Sequence, residues 1–409
     1  MIKIKLHWQI LISLVLAVLS YSLIGDKILF TIFFGDIFIK LLKMIIMPLI
    51  LLSIISGVSS ASDNNTLSRI GIKTFVYYLS TSLLAITIGL ILTNILKPGI
   101  GVEILNSSST PFDTSQLSKP GSLLDIIKRM IPSNPFYSLS NGEILPVIFF
   151  SIVFGLGIGQ LSQNNKSLVL PIINELFQII TKITSFIIKL SPIGVFGLII
   201  KALSNTGIEL FNAVGYYILT IFLGLSIHLF LILPSILFLI TKTNPFKHFK
   251  AMSKALTMAF STSSSGATLP ITMDCIKNKS GVSNNVSSFV LPLGSTVNMD
   301  GTALYECAGV LFIAQILGIP LDISQQLVIV LTAFLASVGA AGIPSAGLVM
   351  IFIVLDAVGL GNHPQVPIIV GTMLAIDRPL DMMRTMVNVF SDSVGTVLIA
   401  KSEGEKLNY

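Results

Sequence analysis

Charged side chains are scarce in this sequence. Asp, Glu, Lys and Arg together make up 11% of its 409 residues, whereas soluble domains carry about 25%. Apolar residues make up 53% of the chain, and the mean hydropathy is +0.89. A helix that spans a bilayer needs about 20 mostly apolar residues, and the sequence contains many runs of that kind. The composition therefore excludes a soluble domain and predicts an integral membrane protein.

Cysteine and histidine are also rare. The two cysteines, Cys275 and Cys307, lie in or near apolar segments, so they predict neither a disulfide framework nor a metal framework. No phosphate-binding loop or Ser/His/Asp set is present, so an enzyme is not supported and no organic cofactor is expected. The net charge of +6 comes mostly from short loops, which indicates membrane orientation rather than nucleic-acid binding. The four histidines are too scattered to indicate a metal site: His7, His228, His248 and His363.

Apolar runs and interruptions organise the chain. The N-terminal stretch MIKIKLHWQILISLVLAVLSYSLIG resembles a signal peptide, but it lacks a clear cleavage site and more runs follow, so we interpret it as a retained first helix. Basic residues cluster in alternate loops, which predicts cytoplasmic termini. A composition rich in Ile, Lys and Asn favours the plasma membrane of a prokaryote. The runs lie at about 8–24, 37–61, 75–97, 145–161, 168–202 and 212–241, and a long helix is predicted near 364–400.

The last third is interrupted by Ser, Gly and Pro. STSSSGATLP at 261–270 and ASVGAAGIPSAG at 336–347 are predicted to be the tips of two hairpins that enter the membrane from opposite sides. Irregular backbone at membrane depth is tolerated only where protein or a wet cavity surrounds it. Two broken segments in two inverted halves indicate a transporter site near the midplane. The alternative is a pair of ordinary kinked helices.

The last predicted helix carries a polar stripe. At about 100° per residue, six side chains within 375–401 fall in one sector of about 100°, whereas Met383, Met386 and Val389 lie outside it. A charged side chain at the bilayer centre costs about 2.5–3.5 kcal/mol on insertion scales, so such groups are functional by default. The alternative is a structural Asp–Arg network that locks helices together. The stripe consists of Asp377, Asp381, Arg384, Thr385, Asn388 and Asp392.

The chemistry of the stripe matches an acidic amino acid. Arg384 can bind a carboxylate with two parallel hydrogen bonds. Asp381, nearly one turn earlier, can bind an ammonium group, and Asn388 can bridge through its amide. The run Ser263-Ser264-Ser265-Gly266 offers N–H and hydroxyl donors to a second carboxylate.

The stretch PLGSTVNMDGTALYE at 292–306 places polar residues between apolar segments. Asn298, Asp300 and Asp392 are hard oxygen donors, as are carbonyls freed where Gly294 and Gly301 are expected to unwind a helix. Such oxygens suit a dehydrated alkali cation. The alternative, an Asn-Asp-Gly turn in a loop, does not fit the apolar sequence on both sides.

Glu306 lies one to two turns beyond this predicted break. A carboxyl group in an apolar helix is a candidate proton carrier, and the alternative is a neutral, hydrogen-bonded glutamate without a transport role.

Four motifs carry a resemblance over nearly the whole chain. STSSSGATLPIT, NMDGTALYE, GAAGIPSAG and DMMRTMVNVFSD resemble the dicarboxylate/amino acid:cation symporter family, which includes the glutamate transporters and their prokaryotic homologues. The resemblance implies an all-α membrane protein with eight transmembrane helices, two re-entrant helical hairpins, inverted repeats and an elevator-type mechanism. It also implies a homotrimer. The implied scaffold parts are 1–73 and 98–211, and the implied transport parts are 74–97 and 212–409.

The resemblance also assigns residues. The implied substrate contacts are Ser264, Ser265, Thr302, Ile343, Gly347, Asp381, Arg384, Thr385 and Asn388. The implied sodium ligands are Tyr78, Thr81, Ser82, Gly294, Thr296, Asn298, Asp300, Ser337, Val338, Asn388 and Asp392. Glu306 matches the proton-carrying position of proton-coupled members.

This sequence departs from the family pattern in two places. Many members have a second arginine at the first hairpin tip or directly after Asp381, where this chain has Thr262 or Ser263, and Met382. Arg378, with Asp377 beside it, is the candidate replacement. Ala340 replaces a threonine of some relatives, so a sodium contact there would use the backbone alone.

The predicted function is a symporter for L-glutamate and L-aspartate coupled to Na⁺, H⁺ or both. A C4-dicarboxylate carrier would not need Asp381, and a neutral amino acid carrier would not need Arg384. An anion-conducting channel would not need this set of substrate-binding groups.

Overall fold

The computed structural model describes residues 6–60, 65–101, 128, 130–206, 209–338 and 346–408, and the regular structure of these residues is entirely helical. This result confirms the predicted all-α class. The helices are α1 (Leu6–Ile24), α2 (Ile32–Ser60), α3 (Asn65–Leu96), α4 (Pro135–Asn141), α5 (Ile144–Gly159), α6 (Gln163–Lys189), α7 (Ser191–Thr206), α8 (Glu209–Ile227), α9 (Leu233–Thr241), α10 (Pro245–Thr262), α11 (Ser265–Cys275), α12 (Asn284–Val297), α13 (Asp300–Ile316), α14 (Ile323–Val338), α15 (Ala346–Ala357) and α16 (Val366–Ser402).

Short non-α turns join several of these helices. A 3₁₀ turn, Gly25–Thr31, connects α1 to α2, and a π turn, His228–Ile232, connects α8 to α9. Within the described chain, four segments are long and apolar enough to cross a membrane: Trp8–Ser59, Arg69–Leu96, Gln163–Lys189 and Leu210–Thr241.

The apolar run predicted at 168–202 is divided in the structure. Helix α6 ends at Lys189 and α7 begins at Ser191. Pro192 has no N–H to donate to the carbonyl one turn earlier, so a continuous helix is disfavoured at this point. The other predicted runs coincide with α1, α2, α3, α5 and the pair α8–α9.

The serine-rich interruption forms a turn between two helices. Asn244 caps α10 by accepting from the N–H groups of Phe246 and Lys247. The helix ends at Thr262, and the next residue, Ser263, has a φ of 51° in the left-handed region. Ser264 then caps α11 by accepting from the Ala267 N–H. Helices α10 and α11 pack against each other, so the chain reverses here instead of following a kinked helix.

The interruption near 294–302 is a short unwinding. Helix α12 ends at Val297 and α13 begins at Asp300, with Asn298 and Met299 in non-helical conformations. Gly294 and Gly301 were expected to unwind the helix, but both stay helical, and that prediction is wrong.

The two glycines instead allow α16 to approach closely. A Cβ on Gly294 would lie 2.4 Å from both Asp392 Oδ1 and Tyr78 Oη. A Cβ on Gly301 would lie 2.9 Å from the Arg384 carbonyl oxygen. Any larger residue would therefore push the broken helix away from the polar stripe of α16.

Helix α16 is the centre of the fold. Its six stripe residues are all at most 5% exposed, as expected for functional groups shielded inside a membrane protein. Met383 and Val389, outside the stripe, are also at most 5% exposed. Helices α7, α8, α10, α12 and α13 pack around α16. Its polar groups therefore face other helices rather than lipid.

The second interruption lies between α14, which ends at Val338, and α15, which begins at Ala346. The two helices pack against each other, and both contact α13. Ile343 and Ala340 lie outside the described residues.

Candidate functional site

Arg384 lies in the middle of the polar stripe. Its Nη2 donates to Asp381 Oδ1 at 2.9 Å and to Asp377 Oδ2 at 3.0 Å. Its Cζ lies 3.7 Å from the centroid of the Tyr305 ring, which comes from α13. The Nε and Nη1 groups have no hydrogen-bond partner among the residues that the structure describes. The guanidinium is therefore held firmly while some of its donors stay unused by the described side chains.

The two carboxylates that pair with Arg384 belong to the same helix. Asp377 and Asp381 are on α16, so these ion pairs do not lock separate helices together. Arg378, the predicted auxiliary arginine, places Nη1 at 3.5 Å from Asp381 Oδ2. Asp381 therefore lies between two guanidinium groups. A group that binds Arg384 would change the electrostatics of both aspartates.

Asn388 links α16 to the start of α13. Its Oδ1 accepts from the Gly301 N–H at 2.8 Å, which satisfies an N–H of the first turn of α13. Its Nδ2 lies 3.4 Å from Thr302 Oγ1. Thr385 donates to the Asp381 carbonyl oxygen at 2.8 Å. The structure thus places Thr302, Asp381, Arg384, Thr385 and Asn388 in one buried region.

The second interruption ends near this region. Gly347, in the first turn of α15, faces the site: a Cβ there would lie 3.0 Å from Thr302 Cγ2 and 3.5 Å from Arg384 Nη1. On the other side, Ser264 caps α11 and Ser265 is buried at the first position of that helix. Helix α11 packs against α16. The placement of Ser264 and Ser265 beside the polar stripe stays a prediction.

Asp300 is fully buried and has three polar neighbours from three elements. Ser82 Oγ of α3 donates to its Oδ1 at 2.7 Å, and Ser391 Oγ of α16 donates to its Oδ2 at 2.7 Å. His228 Nε2 lies 3.1 Å from Oδ2. These contacts bring the predicted ligands Ser82 and Asp300 together. A buried carboxylate needs such partners because isolated burial of its charge is costly.

Asn298 connects Asp300 to Asp392. Its Nδ2 donates to Asp392 Oδ1 at 2.9 Å and to Ser391 Oγ at 3.0 Å. Its Oδ1 has no partner among the described groups. Tyr78 donates to the Val290 carbonyl oxygen at 2.9 Å, on the face where Gly294 approaches Asp392. The predicted ligands from α3, the broken helix and α16 therefore form one oxygen-rich region.

The remaining predicted cation ligands bond within their own helices. Thr81 donates to the carbonyls of Tyr77 and Tyr78, Thr296 to that of Leu293, and Ser337 to that of Phe334. Val338 is the last residue of α14. Among the residues that the structure describes, no hydrogen bond joins Ser337 or Val338 to Thr296, so their shared cation site stays a prediction.

Glu306 is fully buried in α13. Neither carboxyl oxygen has a hydrogen-bond partner in the part of the chain that the structure describes. The alternative of a hydrogen-bonded structural glutamate therefore has no support among these residues.

An ion-pair cluster lies at the C-terminal end of α16, around Glu403, which follows the last residue of the helix. Glu403 pairs with Arg69 and, at 2.6 Å, with Lys73 Nζ. The hydrogen bonds from Lys73 and Arg69 hold the pKa of the Glu403 carboxyl below its ordinary value. The cluster fixes the end of α16 to the start of α3.

The arrangement joins a buried arginine, a set of oxygen donors and a helix broken between apolar segments. The described residues contain no cluster of three His, Cys, Asp or Glu side chains suited to a metal ion. Hydroxyl, amide and carboxylate oxygens instead suit a hard cation. A family model described as the sodium:dicarboxylate symporter family matches residues 6–402. This chain belongs to that symporter family.

Individual members of the symporter family match nearly the full chain. Excitatory amino acid transporter 3 from Mus musculus is 36% identical over 98% of this chain and 86% of its own length. The proton/sodium-glutamate symport protein from Bacillus caldotenax is 34% identical over 98% of this chain and 96% of its own length. Excitatory amino acid transporter 2 from Rattus norvegicus is 34% identical over 92% of this chain and 74% of its own length. As a member of a transporter family, the protein is a membrane-embedded transporter rather than an enzyme.

Sequence reasoning missed three residues of the candidate site. His228 was dismissed with the scattered histidines, yet it contacts Asp300. Ser391 was passed over although it directly precedes Asp392, and it bonds to both Asp300 and Asn298. Tyr305, next to Glu306, supports the Arg384 guanidinium. A polar residue inside an apolar helix was the one available signal for His228 and Ser391.

Proposed function

We propose that this protein is a secondary active symporter that imports L-glutamate and L-aspartate together with Na⁺, H⁺ or both. The observation that carries the proposal is the buried Arg384, which pairs with Asp377 and Asp381 and keeps Nε and Nη1 without partners among the described residues. A buried cation with unpaired N–H donors suits a carboxylate. The names of the glutamate-transporting relatives support the same substrate class.

Each end of the substrate has a proposed partner. Arg384 binds the side-chain carboxylate, and Asp381 binds the ammonium group, for which its charge is suited. Thr385, Asn388 and Thr302 complete the polar wall, and Gly347 lets α15 lie against it. Ser264 and Ser265 offer the N-terminus of α11 to the other carboxylate. Ile343 is assigned to the same pocket from the family motif.

Cation coupling uses the oxygen-rich region beside the pocket. Because Asn388 bonds to Gly301 in the broken helix, substrate binding at α16 and cation binding at Asp300 involve the same short segment. Cation binding would therefore organise the pocket, which links the two cargoes. Glu306 is the proposed proton carrier, since a buried carboxyl without described partners can change its protonation state during transport.

The proposed architecture follows the family resemblance. Helices α1, α2, α5, α6 and α7 pack on one another, which supports a scaffold at 1–73 and 98–211. Helix α3 packs with α8 and α13, which supports a moving part at 74–97 and 212–409. The α10–α11 and α14–α15 pairs would be the two re-entrant hairpins of an eight-helix elevator with inverted repeats. The termini would be cytoplasmic in a prokaryotic plasma membrane.

A homotrimer is part of the same proposal. Helix α6 exposes large apolar side chains along one face, including Leu168, Ile172, Leu176, Ile179 and Ile183. Their spacing of three and four residues is that of a helix-packing face. This face is a candidate subunit contact.

Two narrower specificities within the family are less well supported. A C4-dicarboxylate lacks an ammonium group, which would leave Asp381 without a substrate partner. A neutral amino acid lacks a second carboxylate, which would leave Arg384 without a substrate partner. Unpaired buried polar groups discriminate strongly between ligands.

The test is uptake of radiolabelled L-glutamate and L-aspartate by proteoliposomes, with Na⁺ and H⁺ gradients imposed separately. Saturable uptake that stops when the gradient is collapsed supports a carrier and excludes a channel. Uptake driven by Na⁺ supports the oxygen-rich region, and uptake driven by H⁺ alone assigns coupling to Glu306. Absence of uptake under both gradients, with succinate or alanine transported instead, would overturn the substrate assignment.

A further inference from the structure

A buried histidine lies against the carboxylate of Asp300. His228 Nε2 is 3.1 Å from Asp300 Oδ2, and both side chains are 0% exposed. A carboxylate oxygen accepts hydrogen bonds, so we assign the donor role in this contact to the ring nitrogen. The contact connects the α8–α9 segment to the first residue of α13.

The π turn determines where the imidazole lies. His228 is the first residue of the turn His228–Ile232, and α9 resumes with Pro234 in its first turn. Proline lacks the N–H that a regular α-helix would use here, and a π turn widens the helix by one residue. Single π turns inside α-helices occur frequently at functional sites. His228 is thus placed by a local irregularity rather than by the regular helix period.

Counting donors distinguishes the two oxygens of Asp300. A carboxylate has about four acceptor positions, two on each oxygen. Oδ2 accepts from His228 and from Ser391 Oγ, so protein donors fill it. Oδ1 accepts from Ser82 Oγ alone among the described residues. The two donors on Oδ2 therefore fix which oxygen of Asp300 lies next to Ser82.

We propose that His228 is a positioning residue for cation binding at Asp300. By holding Oδ2, it leaves Oδ1, together with Ser82, to be presented to the ion. The inference rests on the proposed cation coupling and adds a residue that acts through Asp300 without contacting the ion. Hydrogen-bond partners behind ligating groups typically change metal affinity by about 10- to 100-fold when they are removed.

Three substitutions distinguish the effect of the N–H donor from the effect of side-chain shape. His228→Gln keeps an N–H close to the position of Nε2. His228→Asn keeps the amide but is shorter, so its N–H cannot reach Asp300, and His228→Leu removes the donor. Matched controls are His248→Gln and His248→Leu, because His248 is also fully buried but contacts Ser393 Oγ at 2.9 Å instead of a carboxylate.

Two measurements are needed. The first is the rise in Tm of the purified full-length protein as Na⁺ is added, and the second is the Na⁺ concentration for half-maximal glutamate uptake. Both are repeated with Li⁺, because the Li⁺/Na⁺ ratio reports the geometry of the oxygens and not the overall stability of the fold.

We expect His228→Leu and His228→Asn to need about 10- to 100-fold more Na⁺ and to change the Li⁺/Na⁺ ratio. His228→Gln and both His248 variants should keep the ratio of the wild type. If His228→Leu fails to fold, the comparison of His228→Asn with His228→Gln still shows whether an N–H that reaches Asp300 is needed for Na⁺ binding. If the His228→Asn variant responds to Na⁺ like the wild type, the role of His228 is overturned, but the proposed sodium coupling is not. A wild type that does not respond to Na⁺ would overturn the sodium coupling and, with it, this inference.

Discussion

The guanidinium carbon of Arg384 lies 3.7 Å from the centre of the Tyr305 ring. One residue beyond this ring is Glu306, the candidate proton carrier, and the guanidinium also pairs with Asp377 and Asp381. The proposed substrate group and the proposed proton group are therefore carried by neighbouring turns of α13 and α16. In the proposed function, this proximity would give substrate binding and proton transfer a shared structural basis.

Replacing Arg384 with alanine should abolish glutamate uptake without preventing membrane insertion. Truncating one partner of a buried charge pair costs about 2–5 kcal/mol, which corresponds to a loss of about 30- to several thousand-fold in affinity. Arg384→Lys should recover only part of this loss, because lysine lacks the planar fork. Arg69→Ala, an exposed arginine on α3, is the control. Normal glutamate affinity in Arg384→Ala would contradict the pocket assignment.

Glu306→Gln should remove the drive from a proton gradient. Glutamine has nearly the same shape but cannot take up and release a proton in this range, so Na⁺-driven uptake should be retained more than H⁺-driven uptake. The measurement is uptake with each gradient in turn. Glu143→Gln serves as the control, because Glu143 is exposed and bonds to Ser138 near α4. Persistent proton-driven uptake would exclude Glu306 as the carrier.

Gly294→Ala should weaken Na⁺ binding. The added Cβ would lie 2.4 Å from Asp392 Oδ1 and from Tyr78 Oη, so the predicted ligands must move. We expect the half-saturating Na⁺ concentration to rise by about tenfold or more. Gly215→Ala is the matched control, since nothing lies within 4 Å of its added Cβ and a helical Gly→Ala change is otherwise stabilising. Equal Na⁺ responses in both variants would contradict the assignment.

Glu403→Gln should lower the thermal stability at neutral pH but not in acid. The pKa of Glu403 is held below its ordinary value by Lys73 and Arg69, so its stabilising contribution is complete above that ordinary value. The contribution is lost as the pH falls through the lower pKa of the folded state. Because the ion pairs are partly exposed, the expected decrease in Tm at pH 7 is about 1–3 °C.

Thermal melts of the wild type and Glu403→Gln from pH 7 downwards would check this prediction. The two curves should converge in acid, whereas a constant difference at all pH values would attribute the effect to packing. Glu143→Gln again provides a control, because no basic side chain pairs with Glu143 among the residues that the structure describes.

The polar stripe of α16 was predictable because its positions follow the helical period. Asp377, Asp381, Arg384 and Asn388 are three or four residues apart, so they share a face whatever surrounds the helix. Their burial was also predictable, since an apolar helix with this many charges must hide them from lipid. The break at Asn298–Met299 was located to within the predicted stretch.

The reason for the two glycines beside that break was not predictable. Gly294 and Gly301 suggested flexible backbone, but the structure keeps both in helices and uses their missing Cβ atoms for close packing against α16. The pairing of His228 with Asp300, 72 positions apart, had no signal in the spacing of either residue.

The sequence by itself determined the class of protein, the polar stripe and the positions of the interruptions, because composition and period act along one helix at a time. The tertiary structure alone decided which oxygen of Asp300 meets His228 and which meets Ser82, and that Arg384 lies on Tyr305. These contacts join α3, the π turn, α13 and α16. They depend on how separate helices pack, and the side-chain pattern of any one helix carries no information about that packing.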